Sequence, residues 1–96
     1  MKLGVIKAVL QIPMAHSLKE KRSVVKSLKE RLKSRFNVSV AEVGDQDLHQ
    51  RATIGIAFVG LDSKKADAKI QKLENFIETH NGAVVIELEK EIMDEA

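Results

Sequence analysis

The chain has no cysteine, which excludes disulfides, thiolate nucleophiles and thiolate metal ligands. A reducing interior suits such a chain as well as any other, and a cytoplasmic setting is expected. Tryptophan and tyrosine are also missing, and the three aromatics, Phe36, Phe58 and Phe76, fall at positions that suit a core. RNA recognition by stacking bases on the aromatics of a sheet is therefore not expected, nor is readout of DNA sequence. The glycines, at 4, 44, 55, 60 and 82, do not cluster, so neither a phosphate loop nor a dinucleotide fingerprint is present. No stretch approaches the roughly 20 apolar residues that cross a bilayer. Lys7 interrupts the apolar amino terminus and no small-x-small pattern follows it, so Met1 to Ala15 reads as a strand and not as a signal peptide.

What is present is a folding composition. Of 96 residues, 44% are hydrophobic and 31% charged, as in a chain that builds one real core, and residues 1–96 are read as a single domain. The net charge is only +2, but its distribution is lopsided. Ser17 to Phe36 holds eight Lys or Arg against two Glu, a local balance of +6 that leaves −4 on the remainder. A field of that shape steers anionic partners towards one face.

Hydrophobic periodicity orders the chain as strand, helix, strand, strand, helix, strand. Leu3 to Ile12 is apolar on both alternating faces, which fits a central strand, and Pro13 ends it. Ser17 and Glu20 form a capping box that opens a helix reaching about Arg35, with Leu18, Val25, Leu28 and Leu32 as its buried stripe. Asn37 to Gly44 and Arg51 to Leu61 alternate as strands around the turn residues Asp45 to Asp47. Asp62 caps a second helix, buried through Ala66, Ile70, Leu73 and Ile77 and stopped at Asn81 and Gly82. Ala83 to Glu89 gives the last strand, with Val84, Ile86 and Leu88 inward, and the acidic residues after it are expected to fray. The expected architecture is α+β, a ferredoxin-like βαββαβ fold whose four-stranded antiparallel sheet carries both helices on one face. The weaker alternative is an open fragment completed by strand exchange with a second copy.

Two surfaces follow from that architecture. The helix-free sheet face shows Val5, Val9, Val43, Thr53, Ala57, Val59 and Val85, an apolar patch expected to be a homodimer interface. A partly exposed sheet shielded by Lys7, Gln11, Glu87 and Glu89, or a small-ligand groove, are the alternatives. On the first helix, Lys19, Arg22, Lys26, Lys29 and Lys33 recur at intervals of three and four and lie along one stripe, widened by Lys21, Arg31 and Arg35. Cations so arranged can track a phosphate backbone and release its counterions, although most charge runs are merely solvated helix faces. The candidate anion-binding residues are Lys19, Lys21, Arg22, Lys26, Lys29 and Lys33.

Catalytic constellations are not found. His16, His49 and His80 lie in three separate connections, and the donors Glu42, Asp45, Asp47 and His49 lack regular metal-loop spacing and are equally explained by turn chemistry. No enzyme, metal or cofactor is expected.

The string His16-Ser17-Leu18-Lys19-Glu20-Lys21-Arg22, the segment Phe36 to Val43 and the pair Arg51-Ala52 resemble the YlxP-like family of short bacterial proteins over nearly the whole chain. The resemblance implies a ferredoxin-like fold. From the company such genes keep among translation factors, it also implies a role near the ribosome, with RNA or a ribosomal protein as partner. It defines no catalytic residues. The leading expectation is a non-enzymatic binding or assembly module; the alternative is a homodimeric sensor or scaffold that holds a small ligand against the sheet.

Overall fold

A computed structural model describes residues 1–95. The elements run β1 (Lys2–Gln11), α1 (Leu18–Arg35), β2 (Ser39–Gly44), β3 (Arg51–Gly60), α2 (Ser63–Glu78) and β4 (Val84–Asp94). The sheet order is β2-β3-β1-β4 and every neighbouring pair is antiparallel, so the ferredoxin-like α+β arrangement stands. No helix among the described residues is long and apolar enough to cross a membrane.

Local chemistry sets the helix starts. Ser17 Oγ accepts from Glu20 N at 3.1 Å, while the Glu20 carboxylate reaches one residue past the cap to accept from His16 N at 2.6 Å. Asp62 Oδ1 accepts from Lys65 N at 2.8 Å and opens α2 in the same way. Between the helices and the sheet lies one core. Ile6, Leu10, Ile54 and Ile56 rise from the sheet to meet Val25, Leu28 and Leu32 of α1 and Ile70, Leu73 and Ile77 of α2. Space is tight at Gly4, where any Cβ would collide with the Phe58 ring.

The last strand corrects two expectations. It does not stop at Glu89. Its acidic end continues, paired with β1 as far as Asp94 opposite Lys2, and those two side chains form an ion pair at 3.1 Å. The register also shifts, because Val9 faces Glu87 but Leu10 faces Val85, so Ile86 is the extra residue of a bulge. Upstream of the bulge the inside-outside alternation is inverted. Val85, expected on the helix-free face, therefore packs against the core, while Val84 and Ile86, expected inward, are exposed. One inserted residue flips every earlier side chain of a strand to the opposite face.

Candidate nucleic-acid interface

The basic helix divides into parts with different roles. Lys21 was expected on the cationic stripe, yet it is fully buried in the position that Leu18 was expected to fill, beside Val25, Leu28 and Leu32. Its ammonium donates to Glu42 Oε2 at 2.9 Å, Asp45 O at 2.8 Å, Gln46 O at 3.2 Å and Arg51 O at 3.3 Å. Three ammonium protons are thus shared among one carboxylate and three carbonyls at both ends of the β2–β3 loop. Burial of a charge is tolerable only with such a full set of partners. Lys21 is removed from the anion-binding candidates and becomes the tether of that loop.

The same loop engages the other acidic donors. Asp45, in the left-handed region at φ 60°, accepts through Oδ2 from Thr53 Oγ1 at 2.7 Å and Arg51 Nε at 3.0 Å. The Thr53 hydroxyl first, and the Arg51 guanidinium second, hold the Asp45 carboxyl below its ordinary value. Glu42 and Asp45 thus serve the turn.

The remaining five cations keep their stripe. Lys19, Arg22, Lys26 and Lys33 are exposed and Lys29 is half-buried. Arg22, Lys26, Lys29 and Lys33 line a groove of about 420 Å³ along the flank of α1 that faces β2, an outer strand of the sheet. Val25, Glu30 and Glu42 complete its walls. Among the described residues the ion pairs are Lys2–Asp94, Lys21–Glu42, Arg51–Asp45 and Lys90–Glu74, and none neutralises a member of the stripe. Five like charges recurring every three or four residues repel one another by a few tenths of a kcal/mol per pair. An anion that spans them relieves that repulsion.

Sequence reasoning missed the cations of α2. Lys65, Lys69 and Lys72 lie beside the carboxyl end of α1 and, with Arg35, Phe36 and Ala68, line a second groove of about 410 Å³. Lys69 Nζ donates to Asn37 O at 2.9 Å and lies 4.8 Å from the Phe58 ring centroid; Arg35 lies 5.4 Å from that of Phe76. The spacing of four and three in Lys65, Lys69 and Lys72 was the available signal. It was masked because Asp67 and Glu74 balance the local charge, though they sit on the β4 side of the helix, with Glu74 paired to Lys90. Between Arg31 and Phe76, His80 is buried, its Nδ1 without a hydrogen-bond partner, and burial, followed by the charge of Arg31, lowers its pKa.

The helix-free face is patchier than the alternation implied. Val43 and Val59 are strongly exposed, at 59% and 64%, and Val5 and Ala57 are half-buried. Val9 and Thr53 lie on this face but are 4% and 6% exposed, already closed in by their neighbours. Glu87, Glu89 and Glu91, opposite Val9, Lys7 and Val5, make an acidic row along its β4 side. At one end of the sheet a hollow of about 370 Å³ is lined by Gln11, Leu48, His49, Gln50, Arg51 and Ile86.

Comparison with known proteins places the chain among relatives to which no activity is assigned. Residues 3–90 match the family described as "Protein of unknown function (DUF503)". The chain is also similar to a Bacillus subtilis (strain 168) protein named "Uncharacterized protein YlxP", 42% identical over 65 residues, covering 68% of this chain and 71% of that one.

Proposed function

The chain belongs to the DUF503 family of proteins of unknown function, and from that premise we propose that it is a non-enzymatic module that binds RNA phosphates through the basic flank of α1, in a translation-associated setting. The observation that carries the reading is the row Lys19, Arg22, Lys26, Lys29 and Lys33, which no carboxylate among the described residues neutralises by an ion pair. An acidic protein surface would supply the same charge. No large hydrophobic side chain, however, is exposed on that flank to anchor a protein partner, whereas a phosphate backbone needs none.

Salt dependence is the test. Binding to structured RNA, followed by fluorescence anisotropy, is expected to fall with a slope in log K against log salt of at least about −4.5, from five phosphate contacts at about 0.9 each. Absence of binding at low ionic strength, or a slope near zero, defeats the reading.

The sheet supports a companion proposal, that two copies associate through the face carrying Val43 and Val59, with Ile86 at its margin. Those three side chains are each about half or more exposed, and a second copy laid on that face would take their apolar area out of water. Sedimentation equilibrium is expected to give twice the chain mass, and V59E to give the mass of one chain. A wild-type protein that sediments as one chain at high concentration removes the dimer and leaves the basic flank untouched. The hollow beside Leu48 and Ile86 is the seat that the small-ligand alternative would use.

A further inference from the structure

We infer that the partner is an RNA duplex, along whose minor groove α1 lies as a ridge, with one cationic row on each side of the helix meeting one phosphate strand. The inference rests on the RNA-binding reading above and deepens it.

In cross-section, α1 carries cations on two flanks. With 3.6 residues per turn, Arg22, Lys26, Lys29 and Lys33 fall on the β2 flank, and Arg31 and Arg35 on the α2 flank. Lys65, Lys69 and Lys72 of α2 extend the second row, and the carboxylates Asp67 and Glu74 are directed away towards β4. The two rows are separated by the width of a helix with its side chains, about 10–12 Å. A single strand can follow one row. Two rows held apart on either side of a protruding ridge call for two phosphate tracks at a fixed separation.

The crest between the rows carries different chemistry. Ser23 stands there, exposed, while Glu30 borders the crest from the β2-flank groove and Ser34 borders it from the α2 flank. A carboxylate repels phosphate, and both it and a hydroxyl suit the ribose 2′-hydroxyl, which donates and accepts. The wide, shallow minor groove of an A-form helix displays those hydroxyls between its two backbones, and it is the groove through which proteins read RNA duplexes by shape. Stacking on single-stranded bases has no platform, since Phe36 and Phe76 pack edge to face at 5.8 Å and Phe58 is buried. At 18 residues, α1 is about 27 Å long, enough to lie along a groove over several base pairs.

The test compares three probes at several salt concentrations: an RNA duplex of roughly 20 base pairs, the DNA duplex of the same sequence, and one RNA strand alone. Two proteins are used, wild type and K65E/K72E, the latter sparing Lys69 because it is bonded to Asn37 O. The RNA duplex is expected to bind tightest, with a slope of about −8 from the nine cations of the two rows. K65E/K72E is expected to make that slope shallower by about 2 and to weaken duplex binding about ten-fold or more at low salt, with the unfolding midpoint unchanged. Single-stranded RNA bound as tightly as the duplex, or duplex binding indifferent to K65E/K72E, overturns the two-row geometry. Equal affinity for the DNA duplex overturns the role given to the crest. If no RNA binds at all, the underlying reading falls with the inference.

Discussion

Replacing Lys21 with alanine is expected to destabilise the domain by about 3 kcal/mol or more, the cost of removing one member of a buried, hydrogen-bonded ion pair. The site explains the size. Lys21 is fully buried, and its loss strands the Glu42 carboxylate, only 14% exposed, together with the carbonyls of Asp45, Gln46 and Arg51. Each buried acceptor left without a donor adds about 1–3 kcal/mol, reduced wherever water can enter the opened loop. Against a total stability of about 5–15 kcal/mol for a small domain, that is a large share, equivalent to a fall in melting temperature of about 12 °C or more. Urea unfolding followed by circular dichroism measures it. The comparison variant is Lys26→Ala, whose exposed ammonium has no ion-pair partner and whose loss should stay within about 0.5 kcal/mol. Equal effects from the two substitutions would show that the Lys21 tether contributes nothing. Replacing both partners, as in K21M/E42L, is expected to recover part of the loss, because no uncompensated charge then remains inside.

The second large effect concerns binding. Neutralising Arg22, Lys26, Lys29 and Lys33 together with glutamine is expected to weaken RNA binding about 150-fold at 50 mM salt. Four contacts at about 0.9 each in the salt slope lose that much when salt rises four-fold, and deleting them costs at least as much. Stability should hold or rise, since glutamine is a good helix former and relieves like-charge repulsion along α1. The pairing of outcomes discriminates. A solvated helix face loses neither affinity nor stability, a structural face loses stability, and an anion-binding face loses affinity alone. The slope should flatten by about 3.6 in the same titration, and an unchanged slope would defeat the assignment of those four side chains.

The course of the chain was readable wherever one periodicity dominated. Ile54, Ile56 and Phe58 alternate with Thr53, Gly55, Ala57 and Val59 over an uninterrupted ladder, and the structure keeps that register from Lys2 opposite Gly60 to Gln11 opposite Arg51. Ser17 and Asp62 announced the helix starts through chemistry confined to three or four residues. The failures were non-local. The β4 bulge depends on how Leu10 and Val85 meet across the sheet, which no pattern within Val84 to Ile92 encodes. Burial of Lys21 was hidden because a lysine at a stripe position reads as a surface cation; only the fold brings Glu42 and the 45–51 loop beneath it. Half of the proposed interface was legible, because α1 holds one excess of charge in one segment. The α2 half was not, because opposite charges that cancel along the sequence are separated across the helix.

The position of β1 has a consequence for the order of synthesis. The first strand to be made lies between the third and the last, bonded to β3 on one side and β4 on the other. A nascent chain that has emerged only through α1 and β2 has no neighbour for its most apolar strand, since β1 and β2 never touch in the sheet. Closure must wait for two long loops, and such distant pairings are slow to form. A sheet centred on β1 therefore cannot begin to form before β3 has been translated, and Ile6, Ala8 and Leu10 stay open to improper association until then.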